Sequence, residues 1–163
     1  MLVTGKEYTT NRFEYYFHSL EQVGRGPFAP KVGNLVKIGE ILTIVIKVDG
    51  DPGFDIHVKE CRAYPRPDDD RNYVELTDQL GCPVKEKLIG HFLKTDRTGN
   101  TGANLIAYVY MQAFKFPDEM EVYLECKVEL CKNACRQCPT NPNVSPGGGG
   151  GGGAPGNFVS VLF

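Results

Sequence analysis

Six cysteines (Cys61, Cys82, Cys126, Cys131, Cys135 and Cys138) fall within one stretch of a 163-residue chain, and they constrain its fold more than any other feature. An even count, placed at the ends of strand-like segments, points to three disulfides and an oxidising compartment. The rival reading is a metal centre inside the cell, because the last four thiols lie within thirteen residues, loosely like a zinc or iron–sulfur ligand set. That reading leaves Cys61 and Cys82 unexplained and lacks the paired C-x2-C knuckles of structural zinc. Cys126 also falls on the inward face of a strand, where a staple between sheets belongs. Disulfides carry the argument, and sequence alone permits many connectivities.

Catalysis finds little support. A nucleophilic thiol needs a base beside it, and His18, His57 and His91 stand in no recognisable pattern. There is no G-x-S-x-G, no H-E-x-x-H and no phosphate-cradling glycine loop. Asp68, Asp69 and Asp70 read as a solvated, proline-flanked loop rather than a cation site. The chain is therefore expected to be no enzyme and to hold no cofactor or metal. Its formal net charge of −2 lacks the concentrated positive field that nucleic acid or an anionic membrane requires. No apolar run approaches the roughly 20 residues of a spanning helix, so direct membrane insertion is not expected.

Charge is distributed unevenly. Residues 139–163 contain no charged side chain, and seven consecutive glycines run from Gly147 to Gly153. Such a run loses maximal backbone entropy on ordering and buries nothing, which makes it a flexible tether. Gly24, Gly26, Pro27, Pro30 and Gly33 punctuate the other side of the main block. Three parts result: a lead segment over 1–34, a folded domain over 35–138, and a Pro/Gly-rich disordered tail over 139–163. Within the lead, residues 7–20 are rich in aromatics and read as a short strand or linker leaning on something else. Asn143-Val144-Ser145 is a formal N-glycosylation sequon, a weak signal between two prolines.

Strand signals dominate the middle block. Val36, Ile38, Leu42, Ile44, Ile46 and Val48 share one face by period-2 counting, with a break near Gly39-Glu40. A strong turn after Val48 leads into FDIHVKECRAY, and Asn72–Leu76 and Leu88–Leu93 read as short strands. Leu105 to Phe116 alternates as one long strand, with Phe114 a candidate core ring. In EVYLECKVELC, Val122, Leu124, Cys126, Val128 and Leu130 alternate with a charged face. Short strands at regular turns, without a convincing helix, predict an all-β, immunoglobulin-like antiparallel sandwich.

Several of these segments together resemble the C-terminal half of a zona pellucida module. They are Cys61-Arg62-Ala63, Leu80-Gly81-Cys82-Pro83, Met111-Gln112-Ala113-Phe114-Lys115-Phe116, and Val122 through Cys131. Cys135 and Cys138 complete the six-cysteine variant of that subdomain. The phrase CPVKEKLIGHF looks most like the cuticlin-type members of arthropods and nematodes. The resemblance implies a secreted or membrane-anchored structural protein, polymerising with other zona pellucida modules into extracellular matrix or cuticle. A ligand-binding ectodomain of a receptor is the alternative. By similarity the pairs would be Cys61–Cys126, Cys82–Cys138 and Cys131–Cys135.

This chain departs from the family's pattern. It lacks the family's N-terminal half, and no Lys or Arg follows Arg136 to form the family's basic cleavage site. It therefore reads as a partial chain or an unusual isoform, with the export signal and anchor expected outside this sequence. In the family, a hydrophobic patch near the start of this half pairs with a second patch beyond the cleavage site and holds the precursor inactive. Val36–Val48 fits the first patch by position, although an ordinary core strand explains it slightly better. Phe158, Val159, Val161, Leu162 and Phe163 make the candidate second patch. Its expected docking place is the edge near Val36–Val48, reached by a tether spanning on the order of 25 Å. Backbone ordering costs about 1–2 kcal/mol per residue, so this docking is expected to be weak or absent. Truncation at Thr140 should then change little.

Overall fold

A computed structural model describes residues 8–10, 13–16, 26–28, 36–48, 53–143 and 158–162. Its strands are β1 (Tyr8–Thr10), β2 (Phe13–Tyr16), β3 (Ile41–Val48), β4 (Phe54–Tyr64), β5 (Val74–Glu75), β6 (Leu93–Thr95), β7 (Leu105–Gln112), β8 (Tyr123–Lys132) and β9 (Phe158–Leu162). They form two antiparallel sheets, ordered β1-β2-β3-β7-β6 and β5-β4-β8-β9. The architecture is an all-β, immunoglobulin-like sandwich.

Alternation builds the core between the sheets. Leu42, Ile44, Ile46 and Val48 of β3 and Ala107, Val109 and Met111 of β7 meet Ile56, Val58 and Ala63 of β4 and Leu124, Cys126 and Val128 of β8. Each large aliphatic side chain fully buried there contributes about 1.5–3 kcal/mol relative to exposure. β3 is unusual in being buried on both faces. Val45 and Ile106 are wholly inaccessible on the outer side, where they cluster with Ala103 and Tyr108. This explains why ILTIVIKV reads as a nearly continuous apolar run rather than a clean alternation. A 3-10 turn at Gly26–Phe28 lies beside β3 and β7. β2 pairs with the end of β3, Tyr15 opposite Val48 and Tyr16 opposite Lys47. The aromatic lead thus contributes strands to the first sheet.

The break expected near Gly39-Glu40 is present, with Gly39 in a left-handed turn of φ 87° and β3 starting at Ile41. Ile38, read onto the inward face, is instead 58% exposed. The reading of β7 also needs correction. Directly opposite Ile41, β7 stops at Gln112. Strict alternation would carry Phe114 outward with Tyr110 and Gln112. Instead the chain leaves the pleat, and Phe114 and Phe116, both half-buried, stack edge-on against each other and pack on the core.

Candidate assembly site

The second sheet carries the Cys61–Cys126 bond, Cys131 of a local ring at the end of β8, and the strand supplied by the tail, while Cys82–Cys138 joins two loops beside it. Cys61 on β4 and Cys126 on β8 are bonded, as are Cys82 with Cys138 and Cys131 with Cys135. All six sulfurs are therefore consumed in bonds, and the four-thiol metal set has no free ligand. The Cys61–Cys126 bond is not a staple between sheets. It joins neighbouring strands of one sheet, where the β4–β8 register shifts between Lys59 and Arg62. Glu60 occupies the left-handed region there, with φ 48°. This bulge turns the backbone groups around Cys61 toward the following loop. Glu60 N donates to Asp78 O at 2.9 Å, Cys61 N to Thr77 Oγ1 at 2.8 Å, and Leu76 N to Cys61 O at 2.8 Å.

The Cys82 loop is fastened in turn. Asp78 Oδ1 accepts from Leu80 N and Cys82 N, each at 2.9 Å. His57, buried on β4, has Nε2 2.8 Å from Leu80 O. Its Nδ1 lies 3.7 Å from Glu129 Oε2, while Lys59 Nζ holds the same oxygen at 2.9 Å. Burial is the main cause that pushes the His57 pKa below its ordinary 6.5, because removing the imidazolium from water disfavours the charged form. The five-residue Cys131–Cys135 ring is pinned by Asp55. One carboxylate oxygen accepts from Cys135 N at 2.7 Å, and the other takes Lys94 Nζ at 2.6 Å. Asp69 accepts from the backbone of Arg71 and Asn72, so it organises its own loop. Among the described residues no cluster of His, Cys, Asp or Glu is arranged to hold a metal.

The remaining candidates separate into two groups. Leu42, Ile44 and Ile46 are completely buried between the sheets, and Val36 is half-buried against them. These side chains cannot offer a contact surface without opening the core. Phe158, Val159, Val161 and Leu162 lie in β9, which runs antiparallel to β8. Phe158 stands opposite Glu129, Ser160 opposite Lys127 and Leu162 opposite Glu125. Phe163 and the tether over 144–157 lie outside the described residues. The expected docking place was therefore wrong: β9 pairs with β8 in the second sheet, not with β3 in the first.

Two more observations revise the tail. Asn143 is exposed, and its neighbour Asn141 is buried with Nδ2 donating to Phe92 O at 3.0 Å. The folded contacts thus run past Cys138, and a cut at Thr140 would remove a buried hydrogen bond. Sequence reasoning missed the backbone edge of β8 between Glu125 and Glu129. Period-2 patterning assigns faces, and no side-chain signal marks which strand has an unpaired edge. It also missed Asp55, a single acid whose role depends on residues far along the chain.

Comparison with curated proteins finds no match. A family model described as the zona pellucida ZP-C domain matches residues 10–142. The two sheets, the disulfide-tied second sheet and that match across most of the length agree: the chain belongs to the zona pellucida family, whose modules are non-enzymatic, extracellular and structural.

Proposed function

We propose that this chain is a structural module of a secreted or membrane-anchored matrix protein, of cuticle or another apical layer. It polymerises with other zona pellucida modules and captures no soluble ligand. The observation that carries the reading is the pairing of β9 with the edge of β8. An edge strand presents a row of unpaired N–H and C=O groups, a ready template for a strand from another chain. In this reading β9 occupies that template and keeps the module from assembling until the strand is released. The buried strand β3 then serves as core, and β8 is the surface that exchanges partners.

The test compares the full chain with a chain ending at Asn143, which keeps Asn141 and its hydrogen bond. Light scattering and electron microscopy should show the shortened chain forming species larger than a dimer, growing with concentration. A shortened chain that stays folded and monomeric over the same range would overturn the reading.

A further inference from the structure

The two sheets have four end strands, and three of them are protected against edge pairing. β5 has two residues, one of them Glu75. β6 has three, with Lys94 at its centre and Asp96 following. β1 has three, between Glu7 and Arg12. Short edges and charges are the usual devices that blunt unwanted pairing. β9 is the exception. It has five residues, none charged, and no Lys, Arg, Asp or Glu occurs anywhere in residues 139–163.

Among the described residues, β9 pairs on one side only, with β8. In an antiparallel strand the backbone groups of alternate residues point to opposite sides. Half of the β9 N–H and C=O groups therefore face away from β8. The sequence along that edge is nearly a palindrome about Ser160. Val159 matches Val161, and Phe158 matches Leu162. Antiparallel pairing of this strand with itself about a two-fold axis sets Ser160 opposite Ser160, Val159 opposite Val161, and Phe158 opposite Leu162. Paired β-branched side chains, an aromatic beside an aliphatic and facing hydroxyls are each favourable across a strand pair. A two-fold contact requires this kind of self-complementarity.

From this we infer that the outer edge of β9 is an interface with a second copy of this chain, joining the two second sheets into one continuous antiparallel sheet. The contact needs β9 in place on β8, so strand release would end it. It describes how the closed modules meet, before any exchange.

Cysteine cross-linking reads the register. Because the native cysteines are all bonded, a new thiol in β9 is the sole reactive one. Ser160→Cys lies on the two-fold and faces its own copy, so mild oxidation of the full chain should give a disulfide-linked dimer as the main species. Val159→Cys faces position 161 of the other copy and should stay a monomer alone, yet cross-link when mixed with Val161→Cys. The unmodified chain should scatter light as a dimer, and Ser160→Lys, which opposes like charges on the axis, should return it to monomer.

No cross-link at Ser160→Cys, or equal cross-linking of Ser160→Cys and Val159→Cys, would overturn the inference. An unmodified chain that scatters as a monomer would overturn it as well. The Asn143 truncation lacks β9 altogether and reads the β8 edge instead, so either proposal can fail without the other.

Discussion

Replacing Cys61 and Cys126 together by alanine removes the bond with the longest loop, a sequence separation of 65. In the chain-entropy account, a loop of that length restricts the unfolded state by about 4 kcal/mol. The Cys82–Cys138 bond offers an alternative path between the same two residues, running from Cys61 to Cys82, across, and back from Cys138 to Cys126. That path is about half as long, and halving a loop changes its closure cost by only about 0.6 kcal/mol because the dependence is logarithmic. The two restraints are therefore far from redundant. Both sulfurs are buried, at 1% and 0% exposure, so their loss adds a packing term of about 1 kcal/mol. The expected total is about 4–5 kcal/mol, a large share of the about 5–15 kcal/mol that typically holds a domain together.

Removing the local Cys131–Cys135 ring, with a separation of 4, should cost about 2 kcal/mol by the same formula. Urea unfolding of both double variants under non-reducing conditions measures the difference. A loss below about 1 kcal/mol for the long pair would refute the argument. So would a short ring that costs more than the long one.

Two further substitutions probe the packing of the Cys82 loop. At Gly81, φ is 77° and an added Cβ would lie 2.6 Å from Val58 O and 2.7 Å from His57 Nε2. Gly81→Ala should therefore lower stability by about 2 kcal/mol or more, read by thermal melting, and a parent-like melting point would refute the close approach. His57 titrates below its ordinary 6.5 in the folded protein, so the unfolded chain takes up the proton first as pH falls. Stability should drop as pH falls through 6.5 toward the lower folded value, by at most about 1.4 kcal/mol per pH unit. His57→Gln keeps a donor for Leu80 O and should flatten that dependence in urea titrations, whereas variant and parent curves of equal slope would contradict it.

The sandwich was readable because most strands are wet on one face. Leu124, Cys126 and Val128 alternate with Glu125, Lys127 and Glu129, and the structure buries the first set and leaves the second partly accessible. β3 showed where such reasoning weakens. Its outer face is covered by Ala103, Ile106 and Tyr108, so its apolar run could not tell a doubly buried strand from an exposed patch. The overlong reading of β7 has a related origin, since alternation holds only while the pleat continues, and the strand ends two residues before Phe114, which still packs on the core. The edge of β8 was invisible for a deeper reason. Pairing uses backbone groups common to every residue, so the attraction of Phe158–Leu162 to β8 rather than β3 depends on tertiary placement.

Amide hydrogen exchange along β8 tests most directly whether β9 closes that edge. Between Glu125 and Glu129, alternate N–H groups point toward β9 and the others toward β4. In the full chain both sets should be protected. In the chain ending at Asn143, kept dilute enough to stay monomeric, the β9-facing amides should exchange at rates approaching those of open chain, while the β4-facing amides stay protected. Equal protection of the two sets in both chains would contradict the account, because β8 would then have no edge for β9 to cover.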